Sequence, residues 1–403
     1  MDQRPRLAAA ITGVGAVSPL GVGAPALHAR WQQGVCALAD GLGRCAELHL
    51  ADHLSAKQAR RLDRFSALAL IAGAEAMAQA GCAEALPCAP ERFGCVIGTG
   101  IGGIQTLCAG QDAIRERGAR AVPPLSIPMM MVNAATATLS LRFDLRGPSF
   151  AVSTACAAGG HALACALSLL REGRADAVLA GGAEAACTPL AQAAFSALEA
   201  LSPSGRSLPF DAHRDGFVLG EGAGALVLEH PERARSRGAE ILGYLRGAGS
   251  SSDAHHMTAP RADGASQADA IEGALRDSGI DASALSYINA HGTGTPLGDR
   301  IEALALGRAL GADAQRIPVS SLKSAIGHTL GAAGALEAVA TLLALRARSA
   351  PANIGLAEPD PDLALELISE RPRPLGDDRQ RPLLALSSSF GFGGHNVVLC
   401  LEA

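Results

Sequence analysis

Two stretches of this chain recur later in it, in the same order. "GAEAMAQAGCAEA" followed by "ERFGCVIGTGIGG" is echoed by "IEGALRDSGIDASALSYINAHGTGTPLGD", and "FAVSTACAAGGHALACALSLL" by "IPVSSLKSAIGHTLGAAGALEAVATLLAL". The first pair reads as a helix, a short apolar strand and a Gly/Thr turn, the second as a strand, a turn and a helix. A chain that repeats one α/β unit must bury the same apolar faces twice, and two copies related by a pseudo-twofold axis do so by packing on each other. Corresponding turns then converge, which carries Cys156 toward the turns of His291 and His328.

The rest of the chain keeps to an α/β pattern. "AVLAGGA", "GALVLE" and "NVVLCLE" read as strands, "RFSALALIAGAEAMAQAG" and "QADAIEGALRDSGI" as helices, and the 47 glycines and 22 prolines fall mainly at the joints. The charged stretch "HPERARSRGAE" divides the chain into residues 1–240, with Cys156, and residues 241–403, with both histidines.

Several function classes fall away on composition. With 403 residues, 48% of them hydrophobic and 18% charged, the chain has the balance of a soluble globular protein with a large core. A net charge of −5 gives no basic field for a phosphate backbone and 3% aromatic residues give few stacking platforms, so nucleic acid is not the expected ligand. "MDQRPRLAAAITGVGAVSPLG" starts basic and turns apolar as a secretory signal does. Gly13, Gly15 and Pro19 argue against a helix there, and the stretch reads as a buried first strand and turn. No apolar run reaches membrane-spanning length, and the expectation is a cytoplasmic protein. The ten cysteines show no CxxC spacing, which leaves no disulfide framework or zinc ribbon to expect.

One cysteine stands apart. Cys156 lies in "STACAAGG", between an apolar strand and a helix, where unpaired N–H groups and the helix dipole are expected to favour the thiolate. Its small neighbours leave room for a substrate, the setting of an acyl-accepting nucleophile. His291 in "NAHGTGTPLGD" sits in a loop too rich in Gly and Thr for core packing, His328 follows in "KSAIGHTLGAAG", and beyond Asp299 and Glu302 neither turn offers a third ligand at metal spacing. Of 34 Lys plus Arg only Lys57 and Lys323 are lysines, so Lys323 marks a position that needs a compact ammonium, with Glu337 as its counter-charge. The glycine-rich "SSSFGFGGHN" can bring backbone N–H groups close to a reacting oxygen.

With these residues in this order, from "ITGVGAVSPLG" to "SSSFGFGGHN", the chain resembles the elongating (type II) β-ketoacyl-[acyl-carrier-protein] synthases, condensing enzymes of the thiolase-like fold. The resemblance implies two duplicated α/β halves packed as a layered αβαβα sandwich. It implies that Cys156 takes an acyl chain from a phosphopantetheine thioester and that malonyl-carrier protein then loses carbon dioxide and attacks it, a decarboxylative Claisen condensation. His291 and His328 are then neutral N–H donors to the enolate, the N–H groups of Cys156 and Phe392 form the oxyanion hole, and Lys323 and Glu337 order the histidine side. Thr293 and Thr295 contact the pantetheine arm, Ile101, Ser126, Phe195 and Phe390 line the acyl pocket, and Phe392 gates it. No metal or dissociable cofactor is implied beyond the carrier's phosphopantetheine.

The same resemblance implies a homodimer, with "PMMMVN" near the partner, and an acyl carrier protein docked on Lys57, Arg60, Arg61 and Arg64 along one helical face of "AKQARRLDRF". Departures from the fatty-acid pattern leave the pathway open between fatty acid and polyketide or polyene elongation. "SPSGR" and Gly294 look like polyketide ketosynthases, Glu199 and Ala259 replace a basic and a serine residue, Ser126 replaces a bulky aromatic, and Met129, Met130 and Met131 replace smaller residues. A catalytic subunit paired with a chain-length-factor-like partner is the alternative. A thiolase would carry a second cysteine in the C-terminal glycine loop, whereas Cys400 lies in a strand-like run; an initiating synthase would carry asparagine in place of His328.

Overall fold

The computed structural model describes residues 7–376 and 381–403, so Arg4 and Arg6 of the basic start lie outside it. Five strands of the first half are β1 (Ala9–Ser18), β2 (Phe93–Gly98), β3 (Ser149–Val152), β4 (Ala177–Glu184) and β5 (Gly222–Glu229). Their counterparts are β6 (Gly243–Ser252), β7 (Tyr287–Asn289), β8 (Pro318–Ser320), β9 (Leu384–Gly391) and β10 (His395–Glu402). The spatial order is β1-β5-β4-β2-β3 in the first set and β6-β10-β9-β7-β8 in the second. In both sets the first two pairings are antiparallel and the last two parallel. The duplication read from the sequence is therefore one of topology as well. The two sets join where β1 pairs antiparallel with β6, Ala9 opposite Leu245 and Ile11 opposite Gly243. β1 is buried along its whole length, as expected of a first strand rather than a signal helix.

Alternation along the strands sorts the side chains into layers. Val96 of β2 and Leu226 and Leu228 of β5 face one core, while Cys95, Ile97, Ala225 and Val227 face another. In β10, Val397, Leu399 and Leu401 join the same inner core as Val96, and Val398 and Cys400 face a third. The inner core holds two helices, α2 (Ala158–Arg171) after β3 and α5 (Ala333–Arg346) after β8. The outer cores are covered by α1 (Arg64–Gln79) on the first half and by α3 (Ala265–Ser278) and α4 (Pro296–Leu310) on the second. This is the expected αβαβα sandwich. No helix among the described residues is long and apolar enough to cross a membrane.

α5 is apolar nearly all the way round because it is buried nearly all the way round. It meets α2 through glycines. A Cβ on Gly159 would lie 2.9 Å from the Ala335 nitrogen, and one on Gly334 would lie 2.7 Å from the Gly160 nitrogen. Backbone cannot yield as a side chain can, so these two positions set the distance between the halves.

The basic segment departs from the expectation of one helical face. Ser55 caps a helix of four residues, Ala56–Ala59, and Asp63 caps α1 afresh, accepting from the Phe65 nitrogen, so two short-range caps break the segment at Arg60–Leu62. Lys57, Arg60 and Arg61 are exposed. Arg64 instead turns inward and holds the buried Glu221 through two hydrogen bonds of 2.9 and 2.7 Å. It is held in an ion pair, apart from the exposed Lys57, Arg60 and Arg61 with which one helical face would have grouped it.

Gly334→Val should lower stability by about 3 kcal/mol through overpacking of the helix contact, read as a reduced urea midpoint at unchanged slope; an unchanged midpoint would mean that the halves are not held at this contact.

Candidate active site

Cys156 stands at the joint of β3 and α2. Ala155 before it takes a left-handed φ of +50°, and a short 3-10 turn, Ala155–Ala157, leads into α2. A left-handed alanine costs about 1 kcal/mol, and the sharp turn brings the sulfur to the wall of a cavity of about 550 Å³. The second half builds the same joint. Leu330 has a φ of +47°, the turn Leu330–Ala332 leads into α5, and "TLGAAG" stands where the first half has "TACAAG", with Gly331 at the place of Cys156. His328 immediately precedes this second joint, and His291 follows β7. The pseudo-twofold axis thus brings one thiol from the first half and two imidazoles from the second to one cavity.

The histidine rings meet edge to face, 5.3 Å between centroids. Phe217 abuts His328 at 5.3 Å and Phe390 abuts His291 at 5.8 Å, and both rings are buried. Lys323, at the start of a one-turn helix, is buried with Glu337 of α5 as an ion pair, and its ammonium lies 3.3 Å from Nδ1 of His291. An ammonium has no lone pair, so it donates to Nδ1 and leaves the imidazole proton on Nε2. Burial first, then the Lys323 charge, holds both histidines well below their usual range. Both are neutral at physiological pH. Burial pushes the Glu337 carboxyl up, and the Lys323 charge opposes it.

Two further carboxyls brace this site. Glu302 of α4 accepts from the backbone nitrogens of His291 and Gly292, each at 2.7 Å, and fixes the turn that presents His291; burial raises it to about 7. Glu184, which ends β4, was missed, although a lone acid closing the apolar run "AVLAGGAE" is the signal that could have found it.

The expectation that Cys156 favours the thiolate is corrected. Burial pushes the thiol up to about 11, against which the Lys323 charge and the N–H groups of Phe392 and Cys156 itself act downward, while Glu184 adds to the rise. The helix start and the two amides do not outweigh removal from water. Those same two amides bear on the sulfur.

Thr293, Thr295, Ile101, Phe195, Phe390 and Phe392 all line the cavity. Thr295 also caps α4, accepting from the Gly298 nitrogen at 3.2 Å, and its hydroxyl lies 3.0 Å from that of Thr293. Phe195 packs on Phe392 at 6.4 Å and on Phe217 at 5.4 Å. Glu199 and Ala259 line the cavity too. Ser126 does not: it is buried at the start of the helix Ser126–Met130 with its hydroxyl on the Pro123 carbonyl at 2.7 Å, which corrects its assignment to the pocket wall. Met129 lines a separate cleft of about 400 Å³ beside Arg61 and Leu141. Cys400 is buried in β10 against the outer core and away from the cavity.

A duplicated sheet with two central helices and a cysteine at the head of the first is the thiolase-like architecture of condensing enzymes. Residues 46–234 match the "Beta-ketoacyl synthase, N-terminal domain" family and residues 242–357 its C-terminal counterpart. A 3-oxoacyl-[acyl-carrier-protein] synthase 2 of Synechocystis is 41% identical over 97% of this chain and 97% of its own, and one of Staphylococcus aureus is 37% identical over 100% and 99%. The chain belongs to the β-ketoacyl synthase family. Among solved structures, a β-ketoacyl synthase of Burkholderia phymatum is similar at 34% identity with a TM-score of 0.89, covering 98% of this chain and 99% of that one. A type II polyketide acyl-carrier protein in complex with its ketosynthase bound to a hexaketide is similar at 31% and 0.86, covering 99% and 100%.

Lys323→Met should cost about 3–5 kcal/mol by leaving the Glu337 charge buried alone, and adding Glu337→Leu should restore most of it. Urea denaturation of the single and double variants measures this; equal losses in both would show that the ion pair is not what holds the two positions.

Proposed function

We propose that the protein is an acyltransferase that condenses an acyl chain, held on Cys156, with a malonyl unit, both delivered on the phosphopantetheine of an acyl carrier protein. The observation that carries the reading is one cysteine facing two neutral histidines across an apolar cavity, with two backbone amides aimed at its sulfur. In the first half-reaction the sulfur attacks the acyl thioester carbonyl, the oxyanion rests on the Cys156 and Phe392 amides, and the thiol proton leaves with the pantetheine sulfur. A raised thiol suits this exchange, since the proton departs only as the new bond forms. In the second half-reaction the malonyl thioester loses carbon dioxide. The electron pair left behind is held as an enolate by Nε2–H donors of His291 and His328, then attacks the acyl-cysteine and expels the Cys156 thiolate. What this step needs is the tautomer that carries its proton on Nε2, and a neutral ring in that form lends a hydrogen bond without transferring the proton. Lys323 fixes the donor tautomer of His291, Thr293 and Thr295 contact the pantetheine arm, and Phe392 gates the cavity. One proton taken up from solvent returns the expelled thiolate to the thiol and closes the cycle, with no metal or redox cofactor entering the balance.

Carrier docking falls to the exposed Lys57, Arg60 and Arg61, whose charge complements an acidic carrier helix. For the assembly, among the described residues β3 pairs on one side only and ends the sheet with Phe150 exposed, and Leu141, Met131 and Ile127 are exposed as well. An apolar open edge of this kind is covered by a second copy or by a homologous subunit. Two similar solved structures are complexes of a ketosynthase with a chain length factor, at 29% identity each and TM-scores of 0.89 and 0.85, which favours keeping the heterodimer as the second reading. Gly294, with a φ of +79° and the Leu208 nitrogen 3.3 Å from where a Cβ would lie, makes the turn beside the pantetheine threonines a glycine-only turn.

Incubation with acyl-carrier proteins should add one acyl mass to the intact protein and none to Cys156→Ala. His328→Ala should still accept the acyl group but lose carbon dioxide release from malonyl-carrier protein by about 100-fold or more; retained condensation in Cys156→Ala would remove the nucleophile assignment. Reversing Arg60 and Arg61 to Glu should weaken carrier binding more at low salt than at high, read by titration calorimetry, and unchanged binding would return the segment to plain surface.

A further inference from the structure

The proposed chemistry makes no use of Glu184, yet few groups in the molecule are more completely engaged. It is fully buried at the end of β4. Its Oε2 accepts from the Gly100 nitrogen at 2.6 Å and the Gly331 nitrogen at 3.2 Å, its Oε1 accepts from the Thr99 hydroxyl at 3.2 Å, and the Ile101 nitrogen reaches both oxygens at 3.3 Å. All of these donors are uncharged. They come from two places that are distant in sequence: the turn after β2 in the first half, and the joint before α5 in the second, whose Gly331 occupies the place that Cys156 holds in the first.

Space at this junction is closed. A Cβ on Gly331 would lie 2.2 Å from the Gly100 nitrogen, and one on Gly100 would lie 2.8 Å from Oε2 of Glu184. In the first half the amide of the joint residue, Cys156, bears on the sulfur at the cavity wall. In the second half the corresponding amide is taken by a resident carboxylate. Both turns tied to Glu184 also line the catalytic cavity, one through Ile101 and the other through Leu330, two residues after His328.

We propose that Glu184 is a positioning residue: its carboxylate ties the Ile101 turn to the Leu330–Ala332 turn and thereby holds the acyl-pocket wall and the His328 side of the site in register with Cys156. The proposal rests on the ketosynthase reading for its effect on turnover. It also has an electrostatic side independent of that reading, since Glu184 and Lys323 act on the Cys156 thiol in opposite directions, and Glu184 bears on the neighbouring Cys187 as well.

The test compares Glu184→Asp and Glu184→Gln with the wild type in the full chain. Alkylation of Cys156 by iodoacetamide is followed by intact mass from pH 7 to 10, with Cys156→Ala as the blank, and condensation is measured with short and long acyl-carrier proteins. Aspartate keeps the charge but is too short to span both turns. It should leave the alkylation profile within about twofold of wild type while kcat for condensation falls about tenfold to 100-fold and the ratio between short and long chains changes. Glutamine removes the charge, so alkylation at pH 8 should quicken by about threefold to tenfold while condensation falls as in the aspartate variant. Condensation within about twofold of wild type in both variants would overturn the proposal, as would a Glu184→Asp protein that loses alkylation, condensation and thermal midpoint together, the mark of a merely structural role. A wild type that alkylates but never condenses would instead remove the ketosynthase reading, and the glutamine arm would still report on the thiol.

Discussion

Everything at this site depends on the contact between two buried helices. α2 and α5 approach so closely that Gly159 and Gly334 have no room for a side chain, and each helix begins at a tight joint with one left-handed residue. Because the helices are related by the pseudo-twofold axis, fixing their separation fixes the separation of the two joints, and with it the distance from Cys156 to the turn of His328. The outer helices and the sheet edges could vary a good deal without altering this, whereas a shift of one helix along the other would take the thiol away from its histidines.

Burial then decides the chemistry of each group brought in. The histidine rings, the thiol and three carboxyls are all buried, and each responds in the direction desolvation dictates: the imidazoles stay neutral, while the thiol and the acids hold their protons more tightly. For the thiol and the acids the protein opposes this with one buried cation and with backbone amides, whereas for the imidazoles the same cation reinforces it. Lys323 bears on the thiol, on both histidines and on Glu337 at once, so a single ammonium couples groups supplied by both halves.

The fold and the reacting groups were readable in the sequence because both leave local marks. A repeat shows itself as text, a strand as a run, and Cys156, His291 and His328 stand in turns whose composition no core would need. What was misread depends on distances that the text does not carry. The thiolate expectation counted the amides at a helix start and lacked the depth of burial. The docking helix took "AKQARRLDRF" as continuous, although Ser55 and Asp63 are two separate caps within nine residues and Arg64 has a carboxylate partner 157 residues away. Glu184 shows in the sequence only as a lone acid closing an apolar run, because most of its donors are backbone amides from two remote turns, and an amide has no letter in the sequence.

The scarcity of lysine has a practical consequence. Of the two in the chain, Lys323 is sealed beneath the site in an ion pair, which leaves Lys57 as the one lysine ammonium open to solvent, beside Arg60 and Arg61. Amine-directed dyes, surface attachment chemistry and lysine crosslinkers aimed at side chains will therefore converge on that one corner of the fold. Among side chains, the sequence thus offers amine chemistry one address, on the face proposed to meet its carrier.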